Sequence, residues 1–117
     1  MPSRLRRLRT LNTQAEAAID ADLTQARALA LQAEELAREL GANGELALSL
    51  MVQSKVHFNE HGIDEALQLM RRAAALAESD GHLAVRAKVL TALGALWASL
   101  GLGEQALAGV LGFEPRN

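Results

Sequence analysis

The chain has 117 residues, enough for one domain with a single core, and no cysteine, which excludes disulfide bonds and cysteine-ligated metal sites. Half of the residues are hydrophobic but only 3% are aromatic, and alanine and leucine supply most of the apolar content, which predicts an all-α protein. The net charge is −2, and the acidic excess lies after the first nine residues, which argues against a nucleic-acid-binding surface.

The first predicted helix, about 4–20, begins with a basic segment. Residues 4–9 contain four arginines, while Leu5, Leu8 and Leu11 recur at helical spacing. We interpret this segment as a solvated helix start whose leucines face inward; contact with a membrane surface or an acidic partner is the alternative. No uninterrupted apolar stretch follows the arginines, as a signal peptide requires, and none is long enough to span a bilayer, so we expect a cytoplasmic protein.

Five further helices follow, separated by short breaks rich in glycine, asparagine and aspartate. The 3.6-residue periodicity predicts them at about 22–40, 45–60, 64–79 and 83–100, with a last, short helix from about Glu104. Asp64 is a candidate N-cap for the fourth helix. Because the connections are only two to five residues long, consecutive helices should pack antiparallel, giving three helix pairs in one domain over 1–117.

An offset of 40 residues runs through these helices. It relates Ala26, Ala66 and Ala106, which lie in similar short phrases. A fixed period of this length is typical of a stacked repeat array, in which each unit buries its apolar face on its neighbours. The repeat units are about 4–41, 44–81 and 84–113, the first degenerate and the last truncated. Such arrays usually recognise other macromolecules.

The last repeat carries the clearest motif. Residues 90–97 read Leu-Thr-Ala-Leu-Gly-Ala-Leu-Trp and are followed by Gly101 and Ala106. This resembles the tetratricopeptide repeat, which has a bulky apolar residue, Leu-Gly, an aromatic residue, a turn glycine and a small alanine in this order. The resemblance implies that two helices cross at Gly94 and Ala106 and that Trp97 fills the space between them.

The middle repeat matches the same pattern less closely. Ser54 takes the small position and Ala66 the crossing alanine, but Gln53 and His57 stand where leucine and an aromatic residue are usual. The 40-residue period, against the family's usual 34, resembles the arrays of bacterial signalling proteins. The resemblance implies a right-handed α-solenoid without enzymatic activity or cofactor, which binds a protein or peptide as a sensor or adaptor module.

In tetratricopeptide arrays the first helix of each pair lines the concave surface. Carried over by helical phase, this implies an exposed groove in which Lys55, Asn59 and Lys88 hold an acidic group. The alternative is that these are ordinary surface or packing residues. The residues expected to line the groove are Leu48, Met51, Lys55, Asn59, Lys88, Thr91 and Ala95.

Two other readings remain open. Residues 57–61 spell H-x-x-E-H, the string with which inverted zinc peptidases bind zinc through two histidines and activate water with a glutamate; here these would be His57, Glu60 and His61. The simpler interpretation is that His57 packs and His61 caps the helix. A plain helical bundle that binds a small effector in its core is a third possibility.

The carboxyl-terminal segment predicts self-association. The last helix is short, and its apolar residues have no following helix to cover them. We therefore expect a homodimer in which two copies cover each other at this end. The residues expected to mediate it are Leu102, Leu107, Val110, Leu111 and Phe113.

Overall fold

The computed structural model describes residues 2–80 and 83–101, which form five α-helices and no strand. They are α1 (Pro2–Ala18), α2 (Leu23–Leu40), α3 (Asn43–Asn59), α4 (Ile63–Asp80) and α5 (Leu83–Ser99). The all-α class is therefore confirmed, and the five corresponding predicted helices begin and end within two residues of these bounds. The predicted sixth helix lies outside the described residues. None of the described helices has an 18-residue stretch apolar enough to cross a membrane.

The helix starts differ in their capping. At the start of α2, the Asp22 carboxylate accepts a hydrogen bond from the backbone N–H of Gln25 at 3.1 Å, which satisfies one of the free N–H groups of the first turn. The predicted N-cap at Asp64 is wrong, because α4 already begins at Ile63. Asp64 instead lies in the first turn, where a negative charge interacts favourably with the helix dipole.

The helix ends of α2 and α3 share one backbone geometry. Gly41 follows α2 with φ 65°, and the next N–H, that of Ala42, bonds the carbonyl of Ala37. His61 has φ 67° after α3, and the N–H of Gly62 bonds the carbonyl of His57 at 2.7 Å. Both ends are Schellman motifs, which need a left-handed residue at this position. Glycine adopts that conformation freely, whereas a histidine is strained there.

The five helices contact one another in a regular order. Each helix packs against the next in sequence; α1 also contacts α3, and α3 also contacts α5. By contrast, within the described chain no Cα atom of α2 comes within 8 Å of one in α4. The odd-numbered helices thus lie side by side, and each even-numbered helix described lies between two of them.

Small side chains allow these close helix contacts. Ser54 of α3 and Ala66 of α4 are both fully buried, and the Ser54 hydroxyl donates to the Ala66 carbonyl at 2.5 Å. The two positions expected to meet in the middle repeat therefore do meet. The buried positions of α2 recur 40 residues later in α4, each at most 1% exposed: Ala26, Ala30, Ala33 and Ala37, then Ala66, Met70, Ala73 and Ala77.

The basic first helix is amphipathic as predicted. Leu8 and Leu11 are buried, Leu5 is half-buried, and all four arginines are exposed. Two of the arginines face acidic side chains of later helices: Arg4 lies 2.5 Å from Glu39 in α2, and Arg9 lies 4.0 Å from the carboxylate of Glu45 in α3.

At the other end of the described chain, Trp97 of α5 is buried in the hydrophobic core. The guanidinium of Arg71 lies 6.0 Å from the centre of its ring. Gly101 has φ 71°, as the tight turn expected there requires. Apart from its chain neighbours and the backbone of its own helix, no described residue has an atom within 4 Å of the place where a Cβ on Gly94 would be. Its expected crossing partner, Ala106, lies outside the described residues.

Candidate functional site

An apolar cavity of about 640 Å³ opens between α3 and α5, and we call it the α3–α5 hollow. Its size is that of a small-molecule or side-chain binding pocket. The buried side chains of Met70 and Leu96 form its floor. It is lined by Ile19, Ser54, Lys55, Phe58, Asn59, Met70, Ala87, Lys88, Thr91, Ala92, Ala95, Leu96 and Ser99.

Short side chains on α5 create this space. Ala87, Thr91, Ala95 and Ser99 recur every four residues, so they lie along one face of the helix, and all four line the hollow. At three of these four positions the residue 40 positions earlier in α3 has a longer side chain: Met51 for Thr91, Lys55 for Ala95 and Asn59 for Ser99. The shorter side chains of α5 leave room for the hollow within the described part of the chain.

Three charged residues from three helices meet beside the hollow, and we call them the Glu16 triad. Glu16 of α1 accepts from the ammonium group of Lys55 of α3 at 3.1 Å through Oε2. Its other oxygen, Oε1, lies 2.6 Å from the ammonium group of Lys88 of α5. One carboxylate therefore joins the three odd-numbered helices, and two lysines surround it.

The electrostatics of the triad favour the ionised carboxylate. Burial raises the pKa of Glu16, but the hydrogen bonds from Lys88 and Lys55 and their positive charges together outweigh burial, so its pKa lies below the ordinary value. The triad as a whole keeps one excess positive charge. Among the described residues, Lys55 and Lys88 are the only charged ones that line the hollow.

The residues expected to line a groove fall into two neighbouring cavities. Lys55, Asn59, Lys88, Thr91 and Ala95 all line the α3–α5 hollow. Leu48 and Met51 line a second cavity of about 300 Å³ between α1 and α3, which also includes Glu16 and Lys88. The expectation of an exposed side chain is wrong at Met51, which is 1% exposed because α3 is covered by other helices.

Lys55, Asn59 and Lys88, which were expected to bind an acidic group, already have partners within the protein. Both lysines already hold the carboxylate of Glu16. The Asn59 side-chain amide donates to the carbonyl of Lys55 at 2.8 Å, one turn earlier in the same helix. An incoming acidic group would thus meet an occupied pair of lysines and an asparagine engaged with its own helix.

The second cavity adjoins a buried polar residue. Asn12 is 5% exposed, and its amide nitrogen donates to the backbone and side-chain oxygens of Glu45 at 3.0 and 3.1 Å. Its side-chain oxygen finds no donor in the described chain. This arrangement fixes the orientation of the amide, because a flipped Asn12 would bring three oxygen atoms together.

The H-x-x-E-H string is split by the end of α3. His57 is half-buried and faces a small cavity beside Arg27 and Leu31 of α2, and Glu60 is ion-paired with Arg27. His61 lies beyond the helix in the left-handed conformation. The two histidines therefore do not continue one helical face. Over residues 2–80 and 83–101, no three His, Asp or Glu side chains approach closely enough to hold a metal ion.

Sequence reasoning missed several residues of the site. Glu16 was the most important, because its two partners lie 39 and 72 positions later and no local pattern connects them. Phe58, Met70 and Leu96 also line the hollow, and none of them was named as a groove residue from the sequence. The four-residue spacing of small side chains on α5 was the feature of the sequence that could have indicated the hollow. The residues expected to mediate self-association lie outside the described chain.

Comparison with known proteins gave no match, whether the chain was compared with protein-family models, with curated proteins or with solved structures. The geometry and the charges of the hollow are therefore what indicate its function.

Proposed function

We propose that the chain is a tetratricopeptide-like α-solenoid that binds peptide segments of other proteins on the face formed by α1, α3 and α5. The observation that carries this proposal is the α3–α5 hollow, an apolar cavity of about 640 Å³ that opens on this face. A cavity of this kind accepts one large apolar side chain of a partner, and such anchors supply most of the binding free energy at protein interfaces.

The helix contacts support the solenoid arrangement. Contacts between odd-numbered helices, with none between the described parts of α2 and α4, are what a curved two-layer array with an inner layer of first helices gives. The smallest extent of the molecule, 18 Å, corresponds to two layers of helices about 10 Å thick. A closed bundle around a central effector site would instead bring the even-numbered helices together.

A peptide selection tests the proposal. Wild-type protein is immobilised and screened against random 12-residue peptides displayed on phage, and the affinities of the selected peptides are measured by fluorescence anisotropy. Ala95→Trp fills the hollow from an exposed position that lines it, and Ala28→Trp places the same side chain on the exposed surface of α2. We expect Ala95→Trp to weaken binding at least about tenfold, a loss of ~1.4 kcal/mol, and Ala28→Trp to leave it unchanged.

Two outcomes would contradict the proposal. The first is that no peptide is enriched over several rounds of selection. The second is that peptides bind wild type, Ala95→Trp and Ala28→Trp equally, which would put the binding site elsewhere. Circular dichroism of each variant checks that its helices are intact.

Self-association is the second part of the proposed function, and it rests on the apolar residues of the carboxyl-terminal sequence, which lie outside the described residues. Light scattering coupled to size-exclusion chromatography measures the mass of wild type, Leu107→Glu and Phe113→Glu. We expect a wild-type dimer and folded monomeric variants. A monomeric wild type would remove this part of the proposal, and a dimer that only Ala95→Trp disrupts would identify a second copy as the occupant of the hollow.

A further inference from the structure

The Glu16 triad has the geometry of a filled carboxylate site. Its two oxygen atoms are held separately, Oε2 by Lys55 at 3.1 Å and Oε1 by Lys88 at 2.6 Å. The ammonium groups come from α3 and α5, the two helices that form the walls of the hollow. A binding site for one carboxylate therefore already exists at the edge of an apolar cavity, and the protein fills it with its own side chain.

We propose that the α3–α5 hollow binds a peptide segment in which a large apolar side chain lies next to a carboxylate, and that this carboxylate displaces Glu16 from Lys55 and Lys88. This inference rests on the proposed function and names the class of peptide. The apolar side chain enters the hollow, and the neighbouring carboxylate reaches the two lysines at its edge. Glu16 acts as an intramolecular competitor that lowers the affinity for such peptides.

Charge complementarity is the main argument for an anionic partner. Of the described residues that line the hollow, only Lys55 and Lys88 are charged, and both are positive, although the whole chain has a net charge of −2. A cationic peptide would have to approach two ammonium groups and would be repelled. A neutral apolar peptide would fill the hollow but would leave the excess positive charge of the triad without a partner.

Displacement of Glu16 is physically feasible because the triad is accessible to water. The side chains of Glu16, Lys55 and Lys88 are 30%, 34% and 50% exposed. Ion pairs at such positions contribute little to stability, since water solvates the separated charges. When a ligand carboxylate arrives, the carboxylate of Glu16 can return to solvent while both lysines keep an acidic partner.

Two matched peptides test this inference: acetyl-Ser-Phe-Asp-Ser-amide and acetyl-Ser-Phe-Asn-Ser-amide, which differ by one charge and almost nothing in size. Their affinities are measured by two-dimensional NMR titration of wild type and Glu16→Gln. We expect wild type to prefer the Asp peptide by roughly threefold and Glu16→Gln by roughly tenfold, because removal of the competitor frees both lysines. Lys55→Met and Lys88→Met should each bring the ratio close to one.

Glu39→Gln is the control for net charge. It changes the charge by the same amount, on the exposed surface of α2 and away from the hollow, so the Asp to Asn ratio should stay at the wild-type value. The ratio rather than the absolute affinity is the readout, so a general loss of folding in one variant does not imitate the expected result.

Each remaining outcome overturns the inference in a distinguishable way. Equal binding of both peptides to wild type and to Glu16→Gln would reject the carboxylate site and leave the peptide groove intact. A ratio that falls in Glu16→Gln would mean that Glu16 positions the lysines instead of competing for them. If neither tetrapeptide binds but phage-selected peptides do, the peptide class is wrong; if none bind, the proposed function fails as well.

Discussion

The substitution His61→Gly should stabilise the protein, because His61 occupies a position that favours glycine. It has φ 67° at the end of α3, where the corresponding residue at the end of α2 is Gly41 with φ 65°. The imidazole is exposed, and it makes no side-chain hydrogen bond within the described chain. Replacement with glycine therefore removes backbone strain without removing a packing contact.

Two opposing terms set the size of the effect. A residue with a Cβ in the left-handed conformation costs about 1–2 kcal/mol. Glycine offsets about 0.5–1 kcal/mol of this stabilisation, because it increases the conformational entropy of the unfolded chain. We therefore expect His61→Gly to raise the free energy of unfolding by about 0.5–1 kcal/mol and the Tm by about 2–5 °C.

Gly41→Ala is the matched control for this substitution. Apart from Gly41 and its two chain neighbours, no described residue has an atom within 4 Å of the position that its Cβ would occupy, so the backbone conformation alone should destabilise this variant, by about 1 kcal/mol. Urea unfolding followed by circular dichroism measures both variants. A Gly41→Ala variant that loses stability while His61→Gly gains none would refute the reasoning, because it would mean that the His61 side chain stabilises this turn.

Three further predictions concern packing and charge. Ala66→Leu should cost about 3 kcal/mol, because it overpacks the fully buried contact with α3, while Ala75→Leu on the exposed face of α4 should change stability by less than about 0.5 kcal/mol in the same urea assay. Ser54→Ala removes the hydroxyl that donates to the Ala66 carbonyl and should cost about 1 kcal/mol in thermal or urea unfolding. Because the folded state lowers the pKa of Glu16, its ionisation stabilises the fold above the pKa of an unfolded glutamate, and that contribution is lost as the pH falls through the lower, folded value. Unfolding curves of wild type and Glu16→Gln should therefore differ most near neutral pH and converge in acid; parallel curves at all pH values would contradict this.

The zinc interpretation can be tested with the same histidine. If His57, Glu60 and His61 formed a zinc site, added zinc would raise the Tm of wild type and His61→Gly would abolish that rise. The separation of the two histidines by the helix end predicts instead that zinc changes neither protein. Differential scanning fluorimetry with zinc and with a chelator distinguishes the two results.

The fold was predictable where the repeat is local and periodic. The alanines 40 residues apart predicted which faces of α2 and α4 are buried, since apolar residues at helical spacing form one face, and that face packs against the neighbouring helices. The helix ends were less accurate, as at Asp64, because capping depends on backbone angles that composition does not fix.

The candidate site was predictable only in part. Helical phase identified five residues of the hollow, including Lys55 and Lys88, but not the depth of the cavity. That depth depends on how far α3 and α5 stand apart, a tertiary property that no single helix encodes. Glu16 was missed for the same reason, because its importance comes from partners on two other helices. Met51 was assigned to the surface since the sequence could not reveal how completely α3 is covered.

The position of α3 has a consequence for the local dynamics of the molecule. This helix contacts all four other described helices, and nine of its residues are buried, among them Leu50 and Val52. Amide protons in α3 should therefore exchange with deuterated solvent only when the whole fold opens, at the rate set by global unfolding. Those of α1 and α5, which lie at the two ends of the row of described odd-numbered helices, should exchange earlier through partial opening. Mass-spectrometric hydrogen exchange would then find the highest protection in α3, in the middle of the chain. The two helices on either side of the hollow would thus differ in stability, since α5 opens locally and α3 opens only with the whole fold.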